Sequence, residues 1–232
     1  MKAVILQPSY IPWRGYFDQI LRADLFVFYD DVQYDKRGWR NRNQIKTPNK
    51  KQWLTIPVSS KGAQTKHIPI NEIPIIWENA WNQIHLKTIQ HAYSKAPYFD
   101  KYLSLFEEFY NRRDKYLADF TIDFTIALAR EMGITKTRFM RSSELEGVSG
   151  EKTDRLISVL QAVDAKEYLS GPSARDYIED DKFAEANISL EYIDYDYPEY
   201  PQLYPPFDPF VSILDLLVMM GDDALNYISS EK

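Results

Sequence analysis

The chain has 232 residues, no cysteine and a net charge of −6. Its length can bury a substantial core, and its 44% hydrophobic and 27% charged residues are ordinary for a globular protein. The lack of cysteine excludes disulfides, thiolate metal ligands and a cysteine nucleophile. No apolar run approaches the ~18 residues of a membrane span. The opening residues have too short an apolar core for a signal peptide, so we expect a cytoplasmic protein.

The charge of the chain is unevenly distributed. The negative total argues against binding of a nucleic-acid polymer, which depends on neutralising phosphates. Residues 36–51 nevertheless include seven basic side chains and no acidic one, whereas acids dominate residues 179–199. A local basic patch on an acidic protein favours a small anionic ligand, and a solvated surface loop is the alternative interpretation.

The first thirty residues alternate between strand and helix. Residues 3–6 and 25–29 are predicted strands, and an amphipathic helix at residues 16–21 connects them. This is the pattern of a βαβ unit, whose two strands are parallel. Ligands bind beyond the carboxyl ends of such strands, which places Gln7 and the pair Asp30 and Asp31 at a predicted small-molecule site.

The remaining chain predicts an α/β fold with a mostly parallel sheet, opened by the βαβ unit and carrying a central helical layer or insertion. We expect one domain over residues 1–232, with the helical insertion at about residues 73–133. Further strands are predicted at 52–58, 136–140, 167–169 and 188–195, and helices at 75–92, 97–109, 115–132, 152–162 and 212–220.

The turn after the first strand is stiffened by two prolines, which fix the backbone. We expect it to hold Gln7, Tyr10 and Trp13 against a substrate, although Trp13 as a cover for the core edge is the alternative. Asp30 and Asp31 have side chains suited to orienting a hydroxyl or amine, binding a divalent ion, or acting as a base. Adjacent strand residues point to opposite sides, so at most one of the two faces the ligand.

Cations and amides alternate in residues 40–43. In an extended segment Arg40 and Arg42 share one face, and Asn41 and Asn43 share the other. A guanidinium such as that of Arg42 suits bidentate recognition of phosphate or carboxylate. We therefore expect Arg40, Arg42 and Asn43 to bind substrate. A basic turn paired with acids elsewhere is the alternative.

Histidine offers one candidate for acid–base chemistry. His85 and His91 are six residues apart, which excludes the helical i, i+4 metal pair, and no metal site is predicted. His85 lies one turn after Trp81 on the inner helix face. It is either a general base or a hydrogen-bonded structural histidine.

Two later segments add candidate pocket residues. Ser170 and Gly171 follow a predicted strand and are interpreted as pocket-lining, because no nucleophile-elbow pattern surrounds the serine. Gln202 lies in a loop rich in tyrosine and proline that suits a sugar or nucleobase, with core-capping aromatics as the alternative. At residues 147–153 a helix start offers free amides to an anion, and Thr153 as a simple helix cap is the alternative.

Several segments resemble the WbqC-like protein family. They are QPSYIPWRGYF at 7–17, DDVQY at 30–34, WRNRN at 39–43, WLTIPV at 53–58, YSKAPYF at 93–99, YLSG at 168–171 and FDPFVSILDLL at 207–217. The resemblance runs essentially end to end and departs only at Pro172-Ser173, where more glycine is expected. It implies a place among loci for O-antigen (lipopolysaccharide) and related surface polysaccharides, and no catalytic residue is carried over from it.

The resemblance implies an enzyme that tailors a nucleotide-linked amino sugar, with N-acyl or aminoacyl transfer as the leading hypothesis. The donor would be an acyl thioester of coenzyme A or of an acyl carrier protein. On this hypothesis the arginines near Arg42 hold the diphosphate, Trp13 stacks on base or sugar, and Asp30 or His85 takes the amine proton. Without a cysteine, the amine attacks the thioester directly.

Two other functions remain open from the sequence. Residues 12–21 lie where small nucleotidyltransferases carry an H-x-G-H signature, but Trp13 and Tyr16 occupy the histidine places. Mg²⁺-dependent release of pyrophosphate would favour this nucleotidyl or adenylyl transfer. The third hypothesis is a non-catalytic module that binds a sugar nucleotide or a carrier protein and forms no product.

Overall fold

The computed structural model describes residues 1–228, so the last four residues of the predicted domain lie outside the described residues. The strands are β1 (Lys2–Leu6), β2 (Leu25–Phe28), β3 (Arg42–Lys46), β4 (Lys51–Thr55), β5 (Arg138–Arg141), β6 (Glu167–Ser170) and β7 (Ser189–Tyr192). The α-helices are α1 (Arg14–Arg22), α2 (Trp81–Tyr93), α3 (Phe99–Asn111), α4 (Leu117–Glu131), α5 (Lys152–Ala162), α6 (Asp180–Glu185) and α7 (Ile213–Met220).

Five strands form one parallel sheet in the order β5-β2-β1-β6-β7. This confirms the predicted α/β fold, its mostly parallel sheet and the opening βαβ unit. The chain builds outward from β1 through β2 and β5, and then crosses to the other side of β1 to add β6 and β7. Ligands bind at the carboxyl edge where the strand order reverses in this way, and here that point lies beside β1.

The sheet separates two apolar layers. Val4, Phe26 and Phe28 face the layer that contains α1 and helices α2 to α4. Ala3 and Ile5 face the other layer, which contains α5. Burial on both faces explains why β1 and β2 are continuous apolar runs and not alternating ones. The division into one domain with a helical insertion stays a prediction.

Strands β3 and β4 form a separate antiparallel hairpin. The strand predicted at 52–58 corresponds to β4, but it pairs with β3 and not with the parallel sheet. Strand β3 was not identified from the sequence because two of its buried positions carry the polar residues Asn43 and Lys46. The apolar alternation that marks a half-buried strand is therefore missing.

Several helix ends follow local rules. Helix α7 begins after Ser212, which caps the helix: its hydroxyl accepts a hydrogen bond from the Leu214 amide at 3.3 Å. The helix predicted from residue 75 begins only at Trp81, because Ile75 pairs with Val58 in an extended bridge. Within residues 1–228, none of the helices is both long and apolar enough to cross a membrane.

Candidate small-molecule site

A cavity of about 1060 Å³ opens at the carboxyl edge of the parallel sheet. Pockets for small ligands usually measure roughly 300–1,000 Å³, so this one has room for a large ligand. Its walls come from the ends of β1 and β2, the turn into α1, the segment around residues 39–43, and the start of α5. Tyr168, Tyr177 and Phe210 complete the lining.

The cavity extends across the sheet edge from one apolar layer to the other. Trp13 and Tyr16 line it on the α1 side, and both belong to the first layer. Tyr29 and Leu156 line it on the α5 side and belong to the second layer. One ligand in this cavity therefore contacts both sides of the carboxyl edge.

The turn after β1 places two predicted residues in the lining. The backbone oxygen of Gln7 accepts hydrogen bonds from the Tyr16 hydroxyl at 3.1 Å and from Ser9 Oγ at 3.5 Å. These contacts fix the strand end at which the Gln7 side chain meets the cavity. The Trp13 indole lies against α1, where Gly15 leaves room for it: a Cβ on Gly15 would lie only 2.3 Å from Trp13 Cζ2.

The two neighbouring aspartates have different surroundings, as strand alternation predicts. Asp31 lines the cavity, pairs with Arg155 Nη2 at 2.6 Å and accepts a hydrogen bond from Ser142 Oγ at 2.5 Å. Asp30 is buried outside the lining and accepts hydrogen bonds from the Ser143 amide at 3.1 Å and hydroxyl at 2.9 Å. Burial raises the pKa of Asp30. Of the two neighbouring aspartates, only Asp31 therefore lines the cavity.

Arg40 supplies an unpaired cation to the cavity. Its side chain lines the cavity, and its Nε atom is buried without a hydrogen-bond partner. Within residues 1–228 its guanidinium forms neither an ion pair nor a hydrogen bond. Burial lowers the pKa of Arg40, and the nearby Tyr16, Asp35 and Tyr34 side chains only partly oppose this effect. A half-buried cation that has no anionic partner among the described residues favours the binding of an anion from outside the chain.

The start of α5 adds a second electropositive region. Gly150, Glu151 and Lys152 line the cavity, and no side chain caps this helix. Thr153 does not act as the cap: its hydroxyl accepts a hydrogen bond from the Glu179 amide at 3.2 Å. The first amides of α5 are therefore left without an acceptor among the described residues, and the helix dipole favours negative charge there.

The structure does not bring Tyr10 or His85 to the cavity. The Tyr10 hydroxyl lies 2.8 Å from His85 Nδ1 and also bonds the Tyr110 hydroxyl, and all three side chains are buried. Burial lowers the pKa of His85 to about 4, so the ring is neutral at neutral pH. The geometry around His85 is that of the hydrogen-bonded structural histidine.

Of the neighbouring residues Arg42 and Asn43, only Asn43 lines the cavity. Arg42 lies outside the lining, with its guanidinium 4.7 Å from the centre of the Trp53 ring and donating to the Arg37 carbonyl at 2.7 Å. Asn43 lines the cavity, and its Nδ2 donates to the carbonyls of Tyr10 and Ile11 at 3.2 and 2.9 Å. Asn43 thus ties β3 to the turn that follows β1.

Three more predicted residues lie outside the lining. Ser170 is buried, and its hydroxyl donates to the Tyr168 hydroxyl at 3.4 Å. A Cβ on Gly171 would lie 3.1 Å from the Tyr195 hydroxyl, so this glycine packs against the tyrosine- and proline-rich loop at residues 195–209. Gln202 accepts a hydrogen bond from Lys46 Nζ at 2.6 Å and holds that loop against β3.

Several lining residues are not among those predicted from the sequence. Tyr29 ends a predicted strand, and Arg155 lies about one turn into the helix whose start was predicted to offer amides to an anion, so both positions carried a local signal. Trp39, Tyr177 and Phe210 carried no such signal, because tertiary contacts alone bring their loops to the cavity. In residues 1–228 no group of three or more histidine or acidic side chains is arranged to hold a metal ion.

These features define an α/β protein with a large cavity that is lined by aromatic rings, cations and carboxylates. The sequence model of the WbqC-like protein family matches residues 7–227, and the chain belongs to that family. It is 41% identical over 229 residues to "Uncharacterized protein Rv1507c" of Mycobacterium tuberculosis (strain ATCC 25618 / H37Rv), a match that covers 98% of this chain and 97% of the relative. No solved structure matches.

Proposed function

We propose that this protein is a tailoring transferase of surface-polysaccharide biosynthesis, which transfers an acyl or aminoacyl group to the amine of a nucleotide-linked amino sugar. The observation that carries this proposal is the unpaired Arg40 guanidinium in a cavity that also holds the Asp31 carboxylate. The association of the WbqC-like family with polysaccharide loci, which the resemblance implies, supplies the substrate class.

The charges of the cavity suit the diphosphate of such a substrate. A guanidinium binds phosphate oxygens in a planar, bidentate geometry, and it is more weakly hydrated than an ammonium group. Arg40 has no carboxylate partner to displace, unlike Arg155, which pairs with Asp31 at 2.6 Å. Lys152, the third cation of the lining, is exposed, whereas Arg40 is half-buried, so Arg40 is the cation we assign to the phosphates.

The size and rings of the cavity suit the rest of the molecule. At about 1060 Å³ it has room for a nucleoside diphosphate with an attached sugar. Trp13, Trp39 and Phe210 offer apolar ring faces in its lining, which favour stacking with a base or with the apolar face of a sugar.

Asp31 is the group that we assign to the proton transfer. The substrate amine attacks the thioester carbonyl carbon, the new C–N bond forms, and the C–S bond breaks. The amine proton passes to the Asp31 carboxylate and from there to the leaving thiolate. Arg155 and Ser142 hold this carboxylate at 2.6 and 2.5 Å, which orients it. Coenzyme A or a carrier protein supplies the thioester.

Turnover tests this proposal. The protein is incubated with dTDP- or UDP-linked amino sugars and with acyl donors on coenzyme A and on an acyl carrier protein, and mass spectrometry detects the N-acylated product. We expect Asp31→Asn to lower kcat at least ~100-fold, the lower bound for loss of a general base. Asp194→Asn is the matched control, because Asp194 is an exposed carboxylate outside the cavity.

Two results would contradict the proposal. Saturable binding without product from any donor would favour a non-catalytic binding module. Release of pyrophosphate that requires ATP and Mg²⁺ would favour nucleotidyl transfer. Acylation with an unchanged kcat in folded Asp31→Asn would keep the reaction but remove Asp31 as its base.

A further inference from the structure

We propose that Trp39 and Arg40 form a nucleotide subsite at the mouth of the cavity, in which the indole stacks on the nucleobase and the guanidinium binds the phosphates. This inference rests on the proposed function and deepens it, because it fixes the direction in which the nucleotide sugar lies.

Trp39 is an exposed ring held in place before a ligand arrives. Its side chain is 48% exposed although it lines the cavity. The ring stacks against Trp53 with centroids 5.4 Å apart, and the Arg42 guanidinium lies over the same Trp53 ring. The Trp39 carbonyl accepts a hydrogen bond from the Tyr10 amide at 3.2 Å, which ties this segment to the turn after β1. A rigid, exposed indole loses little entropy when a second ring stacks on it.

Arg40 follows directly in the chain and faces the same cavity. Its Nε atom is buried without a partner, and within residues 1–228 no carboxylate pairs with its guanidinium. A cation withdrawn from water is costly until an anion joins it. Binding of a phosphate therefore relieves a cost that the unliganded protein carries.

The neighbouring positions of ring and cation match one nucleotide. Consecutive Cα atoms lie about 3.8 Å apart, so the two side chains are within reach of a single nucleoside phosphate. A sugar phosphate alone would engage Arg40 and leave Trp39 exposed to water. A nucleobase presents a π face to the indole, and every base does so, which makes this contact tolerant of base identity.

The subsite gives the ligand a direction. Arg40 lies near Tyr16 on the α1 side of the cavity, whereas Asp31 pairs with Arg155 of α5 on the other side. With the base on Trp39 and the phosphates on Arg40, the sugar extends past the end of β1 towards Asp31. The amine of the sugar then lies at the end of the cavity that holds the carboxylate.

Calorimetric binding of UDP, dTDP, inorganic pyrophosphate and glucosamine 1-phosphate tests the subsite. We expect Trp39→Leu to weaken UDP and dTDP at least tenfold and to leave pyrophosphate and glucosamine 1-phosphate unchanged. Arg40→Gln should weaken all four ligands. Tyr98→Leu is the matched control, since Tyr98 is an exposed ring outside the cavity lining, at 38% exposure, and its loss should leave all four affinities unchanged.

Tryptophan fluorescence gives a second measurement that does not depend on the leucine variant. UDP should quench the wild-type emission more than pyrophosphate does, and Trp39→Phe should remove that difference while keeping most of the UDP affinity. If Trp39→Leu lost affinity for UDP and for pyrophosphate equally, the subsite would be overturned and the proposed function would stand. The same would follow if Trp39→Leu lost no affinity for UDP while the wild type bound UDP-linked sugars. Failure of the wild type to bind any nucleoside diphosphate or nucleotide sugar would overturn both.

Discussion

Gly15 is a residue whose role depends on its lack of a side chain. It lies in the first turn of α1, where alanine would ordinarily stabilise a helix by about 0.8–1 kcal/mol relative to glycine. Here the added Cβ would lie 2.3 Å from Trp13 Cζ2. The indole that lines the cavity must therefore move if this Cβ is present.

We expect Gly15→Ala to destabilise the protein, because the displaced Trp13 ring loses its contacts with Tyr195 and Phe210. Urea unfolding measures the change, and near-ultraviolet circular dichroism reports on the indole. In a Trp13→Leu background the same Gly15→Ala substitution should become neutral or stabilising. A stabilising effect of alanine in the presence of Trp13 would contradict this packing.

At the scale of single residues, the sequence predicts positions better than orientations. Gln7, Trp13 and Asp31 follow strand ends, and the structure places all three in the cavity lining. Tyr10 lies in the same turn, yet it points away and bonds His85 and Tyr110. The partners of Tyr10 come from α2 and α3, more than seventy residues away along the chain, so local pattern carries no information about them.

Helix α2 carries a histidine whose burial couples stability to pH. His85 has a pKa of about 4 in the folded protein against an ordinary value of 6.5, because burial disfavours its charged form. The unfolded chain takes up this proton below pH 6.5, whereas the folded protein does so only near pH 4. The contribution of His85 to the free energy of unfolding therefore decreases by about 3 kcal/mol in total as the pH falls from 6.5 towards 4.

We expect the difference in unfolding free energy between wild type and His85→Gln to shrink between pH 7.5 and pH 4.5. Asp30 and Asp215 have raised pKa values and act in the opposite direction, since their folded carboxyls take up protons at a higher pH than the unfolded ones. Both remain in His85→Gln, so comparison of the two proteins isolates the histidine. Parallel stability curves across this range would contradict a neutral, buried His85.

At the scale of elements, helix α5 could be predicted from the local sequence pattern, whereas strand β3 could not. Helix α5 has the predicted bounds of residues 152–162, because its apolar spacing and the glycines before it are local signals. Strand β3 has no comparable signal. Its buried Lys46 is satisfied by Gln202 and the Pro206 carbonyl, which lie more than 150 residues away in the chain.

Across the whole molecule, the basic segment at residues 36–51 is divided between two uses. Lys46 and Lys51 bind the tyrosine- and proline-rich loop at residues 195–209: Lys46 donates to Gln202, and Lys51 pairs with Asp208 at 2.8 Å. Arg40 alone among the cations of this segment lines the cavity. A protein of net charge −6 thus keeps a cationic cavity, which suits a small anion and repels an anionic polymer elsewhere on its surface.

The α/β class and the carboxyl-edge position of the site were predictable, because both follow from the order of strands and helices. The composition of the cavity was not, since it is assembled from the two layers of the sheet and from the β3–β4 region. Because the cavity is assembled from distant parts of the chain, the sequence alone favoured Arg42 for phosphate binding. The structure instead places Arg40 in the lining and Arg42 against Trp53.

Calorimetry on two arginine variants tests whether this cavity binds a nucleotide-linked amino sugar through Arg40, as we propose. We expect Arg42→Gln to bind a dTDP- or UDP-linked amino sugar less than about tenfold more weakly than the wild type, because Arg42 lies outside the cavity and acts on Trp39 only through Trp53. Arg40→Gln should bind it at least tenfold more weakly, a loss of about 1.4 kcal/mol or more. Equal affinity in Arg40→Gln and wild type, or a tenfold loss in Arg42→Gln alone, would contradict the binding of the phosphates by Arg40.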